Sequence, residues 1–254
     1  MKITFLGTGT SLGVPIIGCR CKICNSVNPK DKRLRSSVMI DVNGKRLVID
    51  TGPDFRQQMI REKINRVDAV LYTHEHRDHV AGLDDLRSFN FIMEKKMELY
   101  ATEFVQQSLH NQFLYVFTEK QYPGIPEVNF HTIENKPFVA EGIPVIPILV
   151  KHMHLPVFGF RIGNFTYITD ANFISEEEKK KIIGSEVLVL NALRHEAHPS
   201  HFTFDEAIAL AKELKCKTTY LTHISHLLGL HEEVQEDLPD NIRLAFDGLR
   251  LNIP

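Results

Sequence analysis

Residues 74–79 read His-Glu-His-Arg-Asp-His, three imidazoles and the Asp78 carboxylate within six positions. Residues two apart on an extended turn project to one side, so His74 and His76 can grip one cation. Asp78 and His79, entering a following helix, then face a neighbouring one. Neutral imidazole nitrogen and carboxylate oxygen suit Zn²⁺, Mn²⁺ or Fe. More candidate donors stand where β-rich runs end: Asp50 after RLVI, His152 after PILVK, Asp170 after FTYIT and His223 after TTYLT. In layered α/β folds, sites form beyond the carboxyl ends of strands. A lone Asp or His there is most simply a turn or cap residue; five in one chain, one of them opening the dense motif, point to a shared site. The segment LVKHMHLPVFGF offers both His152 and His154, on the same side of an extended chain, and His152 directly follows the strand.

A second cluster is Cys19-Arg-Cys21-Lys-Ile-Cys24. Three thiols in so tight a segment cannot all be satisfied by disulfides, because one is left over. A structural Zn²⁺ needs four closed ligands, and Cys₃His is a common set. Cys216 lies far away, at the end of an amphipathic helix, and reads as a small core residue. His195, His198 and His201 precede a helix whose opening Thr203 and Glu206 form a capping box. The near-neutral pKa of imidazole suits general acid work, and a helix N-terminus favours a phosphate anion. His195 and His198 carry no functional expectation, and His110, His131 and His231 are expected at the surface. The Gly7-Thr-Gly9-Thr-Ser-Leu-Gly13 run lacks the spacing of a phosphate loop and reads as a turn. Lys30, Lys32, Arg33 and Arg35 read as a solvated loop within reach of an anionic substrate.

The elements that must position these groups are mixed. Runs rich in Val, Ile, Thr and Tyr predict strands at 2–7, 36–42, 46–50, 69–73, 97–101, 144–151, 165–169, 187–192 and 218–222. Helical patterns fall at 55–64, 83–94, 103–117, 176–183 and 204–215. Strands arrive both as hairpins and alternating with helices, which fits an α/β system of mixed sheets with outer helices. The stretch 91–135, rich in Phe and Tyr, reads as an outer helical layer, with a lid or a dimer surface as the other readings.

The 254 residues, 43% hydrophobic and 24% charged, exclude a disordered, collagen-like or coiled-coil chain. They fit one domain over 1–254, long enough to bury a core without staples. Thirty basic residues against thirty-two acidic leave a formal charge of −2. That balance gives no field for gripping nucleic acid or an anionic membrane. No 18-residue apolar run could span a bilayer. The opening MKITFLGTGTSLGVP reads as a strand and turn, not a secretory signal, so a reducing, cytoplasmic setting is expected.

The His-x-His-x-Asp-His pattern resembles the signature of the metallo-β-lactamase superfamily of binuclear hydrolases. With LGTGTSLGVPIIGCRCKIC, TYITDAN, YLTHISH and AFDGLRL, in that order from residue 3 to 250, the chain resembles the PhnP group of cyclic phosphodiesterases. The resemblance implies an αββα sandwich, two mixed sheets flanked by helices. It implies His74, His76 and His152 around one metal, Asp78, His79 and His223 around a second, and Asp170 bridging. Asp50 resembles the family's supporting carboxylate, which orients a ligand imidazole. His226 is implied as the fourth ligand of a zinc-clipped loop at 18–26. His201 matches a histidine that contacts phosphate and assists the leaving group. The implied chemistry is hydrolysis of a small cyclic phosphodiester, such as a phosphoribosyl 1,2-cyclic phosphate, by a hydroxide shared between two divalent metals (Zn or Mn, with Fe also suited). A tRNA 3′-endonuclease or a thioesterase would be alternatives on the same fold, and a homodimer is left open.

Overall fold

In the computed structural model, which describes residues 1–118 and 124–254, the first half of the chain runs β1 (Lys2–Gly7), β2 (Ser37–Val42), β3 (Lys45–Ile49), α1 (Phe55–Arg61), β4 (Ala69–Leu71), α2 (Arg77–Val80), α3 (Arg87–Met93), β5 (Met97–Ala101), α4 (Glu103–Gln112) and β6 (Val128–Thr132). The second half runs β7 (Phe138–Ala140), β8 (Ile143–His152), β9 (Leu155–Ile162), β10 (Phe165–Tyr167), β11 (Phe173–Ile174), α5 (Glu176–Ile182), β12 (Val187–Asn191), α6 (Phe204–Leu214), β13 (Thr218–Thr222), α7 (His231–Glu236), β14 (Ile242–Leu244) and β15 (Arg250–Asn252).

One sheet has the order β15-β1-β2-β3-β4-β5-β6, the other β11-β8-β9-β10-β12-β13-β14 with β7 beside β8. Both are mixed: β1 to β3 are antiparallel and β3 to β6 parallel, while β8 to β10 are antiparallel and β10, β12, β13 and β14 parallel. Side chains alternate across a strand, and both faces of each sheet are covered. Ile40, Leu47 and Leu71 of the first sheet meet Val145, Phe160 and Val189 of the second in a shared core. On the far face of the first sheet, Met39, Val48 and Val70 pack under Phe55 of α1, Phe89 of α3 and Leu109 of α4. On the far face of the second, Ile148, Leu188 and Leu221 pack under Ile182 of α5 and Ala207 and Leu210 of α6. The result is the αββα sandwich.

Several sequence expectations change in detail. The 103–117 helix ends at Gln112 and gives way to a 3₁₀ turn at Leu114–Val116, and 83–94 splits into a 3₁₀ turn at Leu83–Leu86 followed by α3. The 91–135 stretch contributes α4 to the outer layer but also β5 and β6 to the sheet; residues 119–123 of it lie outside the described residues. The 30–35 loop is not solvated throughout. Arg33 is buried, donating to Thr8 Oγ1 at 2.9 Å and the Ala245 carbonyl at 2.6 Å, with its other amino group 3.1 Å from His231 Nδ1. His231 is therefore a core residue rather than a surface one, because a distant loop delivers a guanidinium to it. His131 is exposed and His110 half-buried against Phe117. Cys216 is buried in the helix-side core. The Thr203–Glu206 capping box is present at α6.

Candidate metal centre

The site lies where strands of both sheets end. Asp50 follows β3, His74 to His79 follow β4, His152 ends β8, Asp170 follows β10 and His223 follows β13. Asp50, Asp170 and His223 all take left-handed backbone, with φ of 62°, 51° and 56°. Asp and His enter that region more readily than most side-chain-bearing residues, and the turn redirects each side chain as its strand stops. Gly52 lets the Asp50 turn close on the histidine loop: a Cβ there would sit 2.2 Å from the Asp78 carbonyl oxygen. Thr51 N–H donates to the His79 carbonyl at 2.8 Å across that contact.

Asp170 is the hub. His74 Nε2 lies 3.8 Å from its Oδ2, and His79 Nε2 and His223 Nδ1 lie 3.3 and 2.9 Å from its Oδ1. Donor atoms of His74, His76 and Asp170 fall within 4.8 Å of one another, as do those of His79, Asp170 and His223 and those of His152, Asp170 and His201. Asp78 Oδ2 is 3.2 Å from His79 Nε2. The His152 ring stands 5.2 Å from that of His76 and 5.8 Å from that of His74. His154 is exposed in the β8–β9 turn and joins none of these groups, so His152 is the residue at the centre.

The rings are held from behind. His79 Nδ1 lies 2.7 Å from Asp50 Oδ2, and His152 Nδ1 donates to the Ser200 carbonyl at 2.8 Å. Among the described residues, Nε2 of His74 and Nε2 of His79 are buried with no partner in hydrogen-bond geometry, although Asp78 and Asp170 oxygens stand 3.2 and 3.3 Å from the latter. Burial alone would raise the Asp170 carboxyl, but His223 and His79 outweigh it and hold it well below the usual carboxylate range. Burial would likewise lower His79, yet Asp170, Asp78 and Asp50 hold it well above the usual imidazole value. A proton held by three carboxylates on a buried imidazole stands where a divalent cation fits, since cations displace protons from such donors. Unpartnered nitrogens, carboxylates and imidazoles together suit Zn, Mn or Fe.

His201 is buried beside this centre, its ring stacked on His223 at 4.8 Å and edge-on to His152 at 4.6 Å. Among the described residues its Nδ1 has no hydrogen-bond partner, and burial lowers its pKa to about 3, favouring the neutral ring. His198 is half-buried 5.1 Å from His201, while His195 is exposed against Phe204.

The cysteine cluster is separate. Sγ of Cys19, Cys21 and Cys24 lie 3.4, 3.4 and 3.5 Å from His226 Nδ1. A tetrahedral Zn²⁺ with its usual Zn–S and Zn–N lengths would set those edges at about 3.6 Å, so the donors match a closed Cys₃His site. The Cys24 backbone N–H and His226 hold the Cys21 thiol down to about 6, and burial pushes Cys24 up to about 11. Sequence reasoning did not single out Thr73, which hydrogen-bonds both Asp50 and His74. Its place directly before the histidine motif was the available signal.

Residues 45–224 match the model of the beta-lactamase superfamily domain. A solved diphosphatase from the PhnP family superposes with a TM-score of 0.93 and 42% identity, covering 100% of this chain and 98% of that one. Zn²⁺-bound PqqB from Methylobacterium extorquens superposes with a TM-score of 0.81 over 100% of both chains, and at 21% identity it shows the shared fold. The octanoyltransferase of Porphyromonas gingivalis (strain ATCC BAA-308 / W83) is 40% identical over 252 residues, covering 98% of this chain and 51% of that protein. The chain thus spans about half the length of that relative. With its two sheets, its strand-end donors and these likenesses, the chain belongs to the beta-lactamase superfamily and, within it, to the PhnP family of metallo-β-lactamase-fold hydrolases.

Proposed function

We propose that the protein is a metal-dependent phosphodiesterase acting on a small cyclic phosphodiester, with a ribosyl 1,2-cyclic phosphate as the favoured substrate. The reading is carried by one observation: three groups of candidate donors meet at Asp170, one of them including His201, whose ring also stacks on His223. His74, His76 and His152 would hold one ion, Asp78, His79 and His223 the other, and Asp170 both. Zn or Mn fits those donors, and a separate Zn fits the cysteine cluster. Bound at the centre, such ions supply Lewis acidity and a water acidified toward neutral pH.

The chain's own groups do the rest. Asp50 and the Ser200 carbonyl keep the His79 and His152 rings in place. His201, near the N-terminus of α6, is placed to meet a phosphoryl oxygen and protonate the departing alkoxide. Burial keeps that imidazole neutral in the free protein, and an anionic phosphate beside it would raise its proton affinity. A sugar alkoxide leaves poorly without a proton, so the ester reaction needs His201 more than cleavage of a diphosphate would.

The basic loop at 30–35, read from sequence as within reach of an anionic substrate, has most of its charges paired or buried. Lys30 pairs with Glu232, Arg35 with Asp54, and Arg33 is buried. The test is a metal-supplemented panel of a ribosyl cyclic phosphate, bis-p-nitrophenyl phosphate, a 2′,3′-cyclic nucleotide, a diphosphate diester, a thioester, nitrocefin and precursor tRNA. The cyclic phosphate is expected to turn over fastest. Cleavage of only the thioester or only the tRNA would sink the reading.

A further inference from the structure

Asp50, Thr73 and His74 form a hydrogen-bonded chain behind the centre. All three side chains are buried. Asp50 Oδ1 accepts the Thr73 backbone N–H at 2.9 Å. Asp50 Oδ2 accepts the Thr73 hydroxyl at 2.8 Å and lies 2.7 Å from His79 Nδ1. The same Thr73 Oγ1 is 2.9 Å from His74 Nδ1. Thr73 is itself anchored across the sandwich, since its carbonyl accepts the Phe158 N–H from β9 at 3.0 Å.

Proton accounting decides how this chain runs. A hydroxyl has one proton to give, and an ionised carboxylate can only accept. The Thr73 proton goes to Asp50, so a lone pair of Oγ1 faces His74 Nδ1, and that nitrogen must carry the hydrogen. We propose that Thr73 is a positioning residue that locks His74 as its Nδ1–H tautomer, and that through it the single Asp50 carboxylate governs an imidazole in each of the two donor groups. His79 is governed directly and His74 through the hydroxyl. In the His74 ring Nε2 is then left as a bare lone pair directed toward the Asp170 side, the state in which an imidazole binds a metal, while in His79 Nδ1 is turned to Asp50 and Nε2 to Asp78 and Asp170. The inference builds on the metal reading of the site for its consequence, while the tautomer can be read without any metal.

Thr73→Val keeps the shape and removes the hydroxyl; Thr73→Ser keeps the hydroxyl and removes the methyl. Without the hydroxyl, His74 Nδ1–H would be buried and unsatisfied, so the ring shifts toward Nε2–H and puts a proton where the cation belongs. The experiment combines long-range ¹H–¹⁵N NMR of the histidine rings in metal-free protein with calorimetric Zn²⁺ titration. Wild type is expected to show His74 as Nδ1–H, and Thr73→Val to lose that tautomer and bind one of the two active-site ions about 10–100-fold more weakly. Thr73→Ser should restore both readouts, and Asp50→Asn should weaken both ions. His74 found as Nε2–H in the wild type would overturn the proposal, even if Thr73→Val fails to fold. So would wild-type Zn²⁺ affinity in Thr73→Val, or equal losses in the Ser and Val variants. Absence of active-site metal binding by the wild type would instead remove the hydrolase reading and leave the tautomer result standing.

Discussion

The cysteine cluster and the His/Asp centre share the four-residue segment His223–His226 yet are built by opposite rules. The cluster takes three donors from one six-residue loop and needs only His226 from elsewhere. Its Sγ–Nδ1 spacings match a tetrahedral Cys₃His set, which, closed around an ion, would leave no position for a substrate. The centre gathers donors from four strand ends, buries most of them while His76 stays exposed and Asp78 half-buried, and among the described residues leaves Nε2 of His74 and His79 without a hydrogen-bond partner. Between them, Ile224 is clamped on both sides: its N–H donates to the Thr8 carbonyl, and its carbonyl accepts the Thr10 N–H. The contrast teaches that one end of the segment is organised for rigidity and the other for reactivity, and each should fail in its own way.

The largest effect is expected at the hub. Asp170→Ala should lower activity by well over a hundredfold, because loss of a group merely supporting a ligand already costs about 10–100-fold. Its ion content, read by elemental analysis, should fall too. Near-wild-type turnover would remove Asp170 from both donor groups. Next, His201→Ala should lower kcat on a cyclic phosphodiester by about 10²–10⁴-fold with ion content unchanged; an equal loss on a substrate with a p-nitrophenolate leaving group would argue against a proton-donor role.

The two ends of the shared segment are then compared directly. Wild type should carry about three ions per chain. His226→Ala and Cys21→Ser should each lose one zinc and drop the melting temperature by about 5–10 °C, while retained molecules keep most of their activity. His223→Ala should reverse the pattern, with activity lost and melting little changed. Widely different behaviour of the Cys21 and His226 variants would break the shared site.

The smallest effect separates what metal and protein contribute to holding the N-terminal loop. Burial, and then Arg33, lower His231 to about 4. Its unfolded value is near 6.5, so between those limits the unfolded chain binds more protons than the folded one. The contribution is full above about pH 6.5 and is lost as pH falls toward 4. Wild type should therefore lose melting temperature more steeply than His231→Gln over that window. Parallel curves would show that His231 stays unprotonated for other reasons.

Most of the centre was legible because its donors sit at strand ends or inside one dense motif. The mixed sheets with outer helices followed from strand runs such as 36–42 and 218–222, rich in Val, Ile, Thr and Tyr, whereas the αββα layering was what the resemblance implied. Less legible was β9, where Pro156 and Gly159 look like breakers. Pro156 sits beside the hairpin turn, and Gly159 is required by close packing, since a Cβ there would lie 2.8 Å from the Tyr167 carbonyl oxygen. The strand β6 carries Asn129 and His131 at a sheet edge and shows no clear alternation. Choosing between His152 and His154 required the two-residue turn that points them apart. The burial of His231 and Arg33 was invisible because each depends on partners distant in sequence, including one another across 198 residues.

Asp50, Asp170 and His223 hold left-handed backbone at three turns of the centre. For residues other than glycine, such conformations are unfavourable by about 1–3 kcal/mol each. Directed evolution for heat resistance alone would thus be drawn to glycine or asparagine at positions 50, 170 and 223. Each gain there would erode the chemistry, a stability–activity trade-off written into the backbone rather than the side chains. Hardier variants that still work must come from elsewhere, such as the outer helices.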